Sequence, residues 1–523
     1  MKTKLLFLVA ALALFIPNVM AADVTDADSL ESCLSAGGTC TLMNNIEVNK
    51  TITLDKNVEL NLNGNDIAFT LKNHILLEGG NLNITGKGSM YEKEPWFSPI
   101  RVIGSVNADD TNYTTLTVGK NVTLKGWAGI FITYTDKDKL KSSRPYGITV
   151  NLNGKAIGVK DSDGSCDGAI YLNGNITDSN NAPVINISST AKVESEDHGI
   201  YAAGYGKWTV ENGANIKGIT GIELRAGILD VKGGTITGTA STIKSEANGN
   251  GPTTVGAGIA IVQHTTKLPI KVNIKGGTIT GAESVYVNDT QGNGTEAFSK
   301  VNVQITSGSF NNDVMKYIAN TCTINKTNGM YNVTENKILE SNNEKVMFES
   351  ESPLNNKYML AVKEVANDTK TSIEKNVEKA YKDNNKIKDA TVIDVYDINI
   401  TDGTNIISME KGNFTISIAI AKNMQKYDIY KVAYIDENGN IKELLDASLV
   451  DGNIVFTTSH LSTYAIIGYN STAINDNTNT TNKTTTNNVK NPSTNDINLP
   501  LILLVLVLSL SGIIATSKKI LQK

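Results

Sequence analysis

The chain has 523 residues, a formal net charge of −5 and a pI near 5.6, so it carries no basic field and we expect no nucleic-acid partner. Asn, Thr, Gly and Ile are used heavily, whereas Pro, Trp and Phe are few. This balance favours many short strands joined by polar turns over packed helices. Four cysteines in so long a chain exclude a disulfide-dense scaffold.

Residues 1–21 have the form of a secretory signal peptide. Lys2 and Lys4 precede an apolar core over residues 5–16, and small residues occupy the positions that signal peptidase requires at 19–21. We expect cleavage between residues 21 and 22 and a mature chain on the outside of the cell.

Two of the cysteines are close enough in sequence to pair. Cys33 and Cys40 are separated by six residues that include a Gly-Gly turn, and we expect a disulfide between them. Cys166 and Cys322 are far apart, and we interpret both as buried small hydrophobic residues.

Residues 24–335 are self-similar. The motif Gly-Gly-Thr-Ile-Thr-Gly occurs at 233–238 and again at 276–281, and weaker strand–turn–strand units appear at 60–67 and 150–157. One unit cannot bury its apolar face alone, but stacked copies make a continuous core, which predicts a solenoid. Two coils of about 20–25 residues would fill the spacing between the two copies.

A series of β-sandwiches or a propeller is the alternative architecture. A propeller needs an even period, and the insertions at 90–113, 135–146 and 245–255 break it. Lateral loops of a solenoid tolerate such insertions, so the solenoid is the prediction that we retain.

The same stretch resembles the right-handed parallel β-helix of pectate-lyase-like bacterial surface proteins. Residues 28–32 and 54–67 resemble its amphipathic cap and first coils, and residues 307–317 resemble its C-terminal capping coil. The resemblance implies an all-β fold, with a right-handed β-helix over residues 22–335 whose caps shield the open strand edges.

Relatives with this fold include polysaccharide lyases and hydrolases, so a depolymerising site has to be considered. The aspartate, Gly-His-Gly and Arg-Ile-Lys motifs of polygalacturonases are missing from the sequence. The remaining catalytic candidates are Asp163, Asp197, His198 and Arg225. We interpret His198 as a turn residue and Arg225 as a turn residue paired with Glu223. We therefore expect no enzyme; the alternative is a polysaccharide lyase or glycoside hydrolase acting on an acidic or complex glycan.

Residues 161–165 begin like an acidic calcium loop. Asp161, Asp163 and Asp167 are the candidate ligands, but one carboxylate is missing from its usual step and Leu172 stands where the closing Glu is required. We expect no cofactor, and Ca²⁺ is the one metal that the loop leaves open.

A binding role is the leading prediction for the solenoid. Trp96, Trp127 and Trp208 are candidates for stacking against sugar rings, and the alternative is that they cap coils or fill the core. The segment 91–97 breaks the repeat and carries two aromatic residues besides a tyrosine, so it is the best candidate surface. We predict a monomeric adhesin, or a glycan-binding or structural protein, whose ligand is a glycan or a host surface.

Residues 340–470 form a second predicted domain. Apolar residues at 373, 377, 380 and 381 predict a short helix, and alternating runs after it predict a β-sandwich-like stalk. Residues 459–466 resemble the His-Leu-Ser/Thr site of self-cleaving domains, which would make His460 the base and Ser462 the nucleophile. The alternative is a stalk that is not cleaved.

The C-terminal region predicts attachment to the cell surface. Residues 471–495 are Asn- and Thr-rich, which predicts a disordered linker, and residues 497–523 hold an apolar run of bilayer length and a lysine-rich tail. The linker ends in a pentapeptide that resembles the sorting signal read by class-B sortases, with Ser in the position of Gln: Asn491, Pro492, Ser493, Thr494 and Asn495. The resemblance implies that a sortase cuts after Thr494 and joins the chain to peptidoglycan; a retained membrane anchor is the alternative.

Overall fold

The computed structural model describes residues 21–103, 114–133, 147–177, 179–180, 182–248, 251–343, 345–382, 387–409, 412–436 and 438–471. The predicted signal peptide up to residue 20, and the linker, sorting motif and apolar segment beyond 471, lie outside the described residues. Within the described ranges no helix is long and apolar enough to cross a membrane. With 54% strand and 8% helix the chain is all-β, as predicted.

The first part of the chain is built from short strands that stack in parallel. Its elements in chain order are β1 Ala21–Val24, α1 Ala27–Ala36, β2 Gly38–Leu42, β3 Ile46–Val48, β4 Ile52–Leu54, β5 Val58–Asn61, β6 Ile67–Phe69, β7 Ile75–Leu77, β8 Asn81–Thr85, β9 Gly88–Glu92, β10 Ile100–Val102, β11 Thr114–Val118, β12 Val122–Gly126, β13 Ile130–Ile132, β14 Ile148–Leu152, β15 Lys155–Gly158, β16 Ile170–Leu172, β17 Val184–Ile187, β18 Lys192–Ser195, β19 His198–Ala202, β20 Gly206–Val210, β21 Asn215–Gly218, β22 Thr220–Leu224, β23 Gly227–Val231, β24 Thr235–Gly238, β25 Lys244–Asn248, β26 Gly251–Val255, β27 Ala257–Gln263, β28 Ile270–Thr280, β29 Glu283–Asp289, α2 Thr295–Phe298, β30 Val301–Phe310, β31 Cys322–Thr327 and β32 Met330–Glu335.

These strands line up as three faces, which is consistent with a β-helical solenoid. The first face runs β1, β2, β5, β8, β11, β14, β17, β20, β23, β28, β30, and the second runs β3, β6, β9, β12, β15, β18, β21, β24, β28. The third face, β4, β7, β10, β13, β16, β19, β22, β27, β29, is a separate parallel sheet. The described strands make nine complete coils, fewer than a regular repeat of 20–25 residues would allow, because several coils carry insertions.

The core lies inside the coils. Successive side chains of a strand point to opposite faces, so strands such as Ile130–Ile132 and Ile170–Leu172 send their first and third residues inward. The inward Ile, Val and Leu residues of all three faces form one continuous buried cluster. Burial of that cluster requires stacked neighbours, which is the reason that single repeats do not fold alone.

The two Gly-Gly-Thr-Ile-Thr-Gly copies lie in adjacent coils, so the expectation that two coils fill their spacing is wrong. Ile236 of β24 pairs directly with Ile279 of β28, 43 residues later, whereas Lys207 pairs with Ile228 after 21 residues. The additional residues in the longer spacing form an antiparallel hairpin of β25 and β26, which is inserted between β24 and β27. We term β25 and β26 the hairpin.

The glycines of the repeated motif are required by the turn between two faces. Gly234 and Gly277 have φ angles of 86° and 96°, in the left-handed region that favours glycine. A Cβ atom on Gly234 would lie 2.5 Å from the carbonyl oxygen of Ala214 in the neighbouring coil. Both backbone angle and close stacking therefore select glycine here.

Both ends of the stack are covered. Helix α1 begins with a capping box between Asp26 and Ser29, buries Leu30 against the first coil and is joined to β2 by a Cys33–Cys40 disulfide. At the other end β32 pairs antiparallel with β30 and β31. Residues Met315–Tyr317, which belong to the predicted capping coil, form one turn of 3-10 helix before β31. Cys166 and Cys322 are free and buried.

The second part of the chain is antiparallel. Its elements are β33 Ile338–Glu340, β34 Val346–Ser350, β35 Met359–Glu364, α3 Asn367–Lys382, β36 Ile387–Thr401, β37 Phe414–Ala419, β38 Ile429–Ile435, β39 Ile441–Val450, β40 Asn453–Thr458 and β41 Thr463–Ser471, with a 3-10 turn at Lys422–Met424. The strands hydrogen-bond into one nine-stranded sheet in the order β33, β34, β37, β40, β39, β38, β41, β36, β35, rather than into two separate sheets. One face of the sheet forms its own core, and the other is covered by α3 through Ile373 and Val377.

Candidate functional site

The outward side chains of the third face form a row that runs from coil to coil. Each short strand sends its middle residue outward, and the parallel register places these residues side by side. We term them the outer row: Leu76, Arg101, Phe131, Tyr171, Tyr201, Glu223, Ala260 and Tyr286.

The middle of the outer row is a stack of aromatic rings. The ring centroids of Phe131 and Tyr171 are 4.9 Å apart with near-parallel planes, and those of Tyr171 and Tyr201 are 5.3 Å apart. Phe97 and Trp127 meet the Phe131 ring edge-on at 5.6 and 6.2 Å. The three stacked rings are buried, so they support this surface and do not themselves form it.

Other aromatic side chains, next to the stacked rings, are accessible to solvent. Trp96 is 46% exposed, and Phe97 and Trp127 are half-buried. The backbone N–H of Trp127 donates a 2.7 Å hydrogen bond to the carbonyl oxygen of Phe97, which joins the 93–99 segment to the next coil. The Lys72 ammonium lies 5.1 Å from the centroid of the Trp96 ring. We term Trp96, Phe97 and Trp127 the aromatic edge.

Trp208 is not part of this surface, and its prediction as a ligand-binding residue is wrong. It lies on the inward side of β20, between Ile185 and Leu229 of the neighbouring coils, and is 2% exposed. Trp208 is buried because side chains alternate between the two sides of β20, and Trp208 and Val210 both fall on the inward side.

A cluster of charged side chains lies further along the third face. The Nδ1 atom of His198 is 2.6 Å from Asp197 Oδ1, and its Nε2 is 3.1 Å from Glu223 Oε2. Glu223 Oε1 accepts a 2.7 Å hydrogen bond from Arg225 Nε. His198 and Glu223 are fully buried and Arg225 is 2% exposed, while Asp197 reaches the surface with 19% of its side chain. We term these four residues the ion cluster.

The ion cluster holds the hairpin against the solenoid. The backbone N–H of Thr254 donates to Glu223 Oε2 at 2.7 Å, and the Thr254 carbonyl oxygen lies 3.2 Å from His198 Nε2. Arg225 donates to the carbonyl oxygen of Pro252. Because every buried charge has an opposite partner, the cluster satisfies the requirement for burying ions.

The pKa values in the ion cluster keep its charges in place at neutral pH. Burial alone lowers the pKa of His198, but contacts with Asp197 and Glu223 outweigh it and raise the pKa to about 10. Burial alone raises the pKa of Glu223, but His198 and Arg225 hold it below its usual value. The imidazole is therefore held in its charged form between two carboxylates.

Three of the four predicted catalytic candidates meet in this cluster. Asp197, His198 and Arg225 come together, while Asp163 is exposed in a separate turn. The interpretation of His198 as a turn residue is wrong, because His198 begins β19. Arg225 lies in the bend between β22 and β23, as expected of a turn residue, but its side chain is buried. The expected pairing of Arg225 with Glu223 is present.

Glu223 was not among the predicted site residues. Its signal in the sequence is a charged residue between the apolar Ile222 and Leu224, the pattern of an outward position in a buried strand. The hairpin that buries it is distant in sequence, so the pattern alone does not reveal its partners.

The predicted calcium loop is a turn held by its own backbone. Asp161 Oδ1 accepts hydrogen bonds from the backbone N–H groups of Asp163 and Ser165 at 2.9 and 2.8 Å. Asp167 is fully buried, and Asp163 is exposed. In the part of the chain that is described, no three His, Cys, Asp or Glu side chains are placed to hold a metal ion, so the calcium assignment is not supported.

His460 and Ser462 lie in the loop before β41. His460 Nε2 is 3.3 Å from Glu443 Oε2, and its ring lies 4.3 Å from that of Tyr434. Ser462 lines a depression of about 460 Å³ with Asp397 and Asp436. The hydrogen bonds of His460 within the described residues lead to Glu443, Thr458 and Tyr464, not to Ser462.

Comparison with known proteins identifies no relative: no protein-family model, curated protein or solved structure matches the chain. Its function has to be inferred from its own side chains and their surroundings.

Proposed function

We propose that the chain is an exported bacterial surface protein whose right-handed β-helix binds a glycan or host-surface ligand at the aromatic edge. The observation that supports this most is Trp96, a large aromatic side chain that is 46% exposed and whose neighbour in the chain, Phe97, is half-buried against Phe131. Exposed aromatic side chains are typical of sites that bind rings with an apolar face, including sugars.

The packing behind the aromatic edge suits a binding site. Phe97 and Trp127 meet the ring of Phe131, which in turn stacks on the buried Tyr171. Rings held by buried neighbours lose little conformational freedom when a ligand docks, so more of the contact energy remains as affinity.

Attachment to the cell surface completes the proposal. A sortase joins Thr494 to peptidoglycan, or the apolar segment at 497–523 holds the chain in the membrane. In either case the Asn/Thr-rich linker separates the folded part from the surface, and the second domain acts as a stalk, which leaves the aromatic edge accessible to ligands outside the cell.

The test is binding of residues 22–471 to an array of host, plant and microbial glycans. The described residues belong to one compact unit, so this fragment contains the folded part of the chain. Wild-type binding that falls at least about tenfold in Trp96→Ala would support the proposal, because aromatic contacts in an interface are often its main anchors. The matched control is Phe298→Ala, which removes another exposed aromatic ring, on α2. Binding that is absent, or that is equal in wild type and Trp96→Ala, would contradict it.

A second candidate function is depolymerisation of a polysaccharide. The meeting of Asp197, His198 and Arg225 with Glu223 favours it, since carboxylates and an imidazole in contact are common catalytic groups. The burial of His198 and Glu223 weighs against it. New reducing ends or unsaturated uronates released from a polysaccharide panel, with and without Ca²⁺, would support it; full activity after joint replacement of Asp163, Asp197, His198 and Arg225 would exclude these residues as the catalytic site.

A further inference from the structure

Arg101 is a cation of the outer row that has no ion-pair partner among the described residues. It is half-buried, its guanidinium carbon lies 5.7 Å from the centroid of the Phe131 ring, and its Nε is buried without a hydrogen bond. Arg225, at the other end of the aromatic stack, has the same cation–ring contact with Tyr201 but is neutralised by Glu223. At one end of the aromatic stack the charge of Arg225 is therefore neutralised by Glu223, whereas at the other end no described carboxylate neutralises Arg101.

His74 adds a second unsatisfied polar group beside Arg101. Its ring is 8% exposed and lies 4.8 Å from the ring of Phe97. Nδ1 lies 3.0 Å from the carbonyl oxygen of Lys72, which can only accept, so Nδ1 carries the proton. Burial, with the charge of Arg101 adding to it, lowers the pKa of His74, so the ring is neutral and its buried Nε2, which has no partner, remains a hydrogen-bond acceptor.

Lys72 supplies another positive charge at the same edge. Its ammonium lies over the Trp96 ring, and it forms no ion pair within the described part of the chain. Arg101 and Lys72 thus flank the aromatic edge with two cations that the described carboxylates do not compensate.

Resting on the proposed glycan-binding function, we propose that the aromatic edge selects acidic saccharides, in which a carboxylate or sulfate group pairs with Arg101. A half-buried guanidinium without an anion is unfavourable, and its planar donors match the paired oxygens of a carboxylate or sulfate. The aromatic edge contacts the sugar ring, and Lys72 adds a second attraction for the anionic group.

The experiment compares matched neutral and acidic ligands on residues 22–471. The pairs are oligogalactose with oligogalacturonate, and dextran with dextran sulfate, which separate carboxylate from sulfate. We expect the acidic member of at least one pair to bind at least about tenfold more tightly, with the preference falling as salt rises. Arg101→Gln should remove the preference, measured as the ratio of the affinities for the acidic and the neutral member, since a neutral amide makes no ion pair with the acidic group.

Two further variants separate charge from geometry. Arg101→Lys keeps the charge and loses the planar fork, so it should retain only part of the preference. Because Lys72 is exposed, Lys72→Gln should reduce the preference for the acidic ligand without affecting folding. Lys271→Gln, an exposed lysine on β28, is the matched control and should change nothing.

The outcomes distinguish this inference from the function on which it rests. Equal affinity for neutral and acidic members, unchanged in Arg101→Gln, would overturn the acidic selectivity and leave glycan binding intact. Failure of every glycan to bind would overturn the proposed function. In that case the melting temperature in inorganic sulfate still tests the anion site: stabilisation of the wild type that is lost in Arg101→Gln would support it, and equal stabilisation of both would overturn it.

Discussion

Glu92 lies in an environment that does not suit an ionised carboxylate. It points inward at the end of β9, level with Phe69 in the coil below, and is 4% exposed. Neither carboxylate oxygen has a hydrogen-bond partner. Burial, with the charge of Glu94 adding to it, raises the pKa of Glu92 from 4.5 to about 8, so the side chain is largely protonated at neutral pH.

This shift makes stability depend on pH in a defined direction. Between pH 4.5 and 8 the folded chain holds the proton of Glu92 while the unfolded chain releases it, so the free energy of unfolding falls as pH rises through this window. We expect Glu92→Gln to remove this decline and to be more stable than the wild type at pH 8, by about 1 kcal/mol or more. The measurement is thermal unfolding at pH 5 and pH 8. Glu296→Gln, an exposed carboxylate on α2, is the control, and parallel pH profiles for wild type and Glu92→Gln would contradict the assignment.

At the same scale, the contacts of His460 predict that the second domain does not cleave itself. His460 is held between Glu443 and Tyr464, without a hydrogen bond to Ser462 that would activate the hydroxyl. We expect residues 22–471 to keep their intact mass after days at pH 7, and Ser462→Ala to behave identically. Two fragments divided between Leu461 and Ser462, and absent from the variant, would refute this.

Among the elements, the hairpin depends on the ion cluster for its position. His198 has a raised pKa of about 10, so its contribution is fully present below pH 6.5 and is lost as pH rises through 10. Glu223 has a lowered pKa, so its contribution is present above pH 4.5 and is lost as pH falls through the lowered value. The hairpin should therefore be held most firmly between pH 4.5 and 6.5, and at neutral pH most of the His198 contribution is still present.

Removal of the charge on His198 should release the hairpin. His198→Gln leaves two carboxylates with only Arg225 as a cation, a change that typically costs about 3–5 kcal/mol at a buried site. We expect amide hydrogen exchange in β26, at Thr254 above all, to accelerate at least about tenfold at pH 7 while the inner strands stay protected. Lys244→Gln, on the exposed part of the hairpin, is the control. Unchanged exchange in His198→Gln would show that other contacts hold the hairpin.

Helix α1 covers the first coil and is covalently joined to it. The Cys33–Cys40 disulfide closes a short loop, for which the chain-entropy model gives about 2–3 kcal/mol. We expect the double variant Cys33→Ser, Cys40→Ser to lose protection against exchange first in α1 and β2. Cys166→Ser, a buried cysteine outside any disulfide, is the control for loss of a thiol. Equal protection of α1 in the double variant and the wild type would contradict a stabilising role.

For the whole molecule, the C-terminal motif predicts where the chain resides. If a sortase acts after Thr494, peptidoglycan hydrolases should release the wild-type chain from cells, and the released chain should lack residues 495–523. Pro492→Ala alters the pentapeptide, so this variant should stay uncleaved in the membrane fraction. Asn488→Ala changes the linker outside the pentapeptide and is the control, which should remain in the wall fraction. A wild-type chain that detergent extracts intact would show that the anchor is retained.

The sequence by itself determined the all-β class and the stacked repeat, because these depend on local signals. Alternation of apolar residues, glycine turns such as Gly234 and the amphipathic pattern of α1 act within a few residues of one another. Only the tertiary structure decided which coils adjoin, that Trp208 faces the core, and that His198, Glu223 and the hairpin meet while Arg101 has no ion-pair partner among the described residues. Those neighbours depend on strand register and on the lengths of the insertions between coils, and a local pattern contains neither.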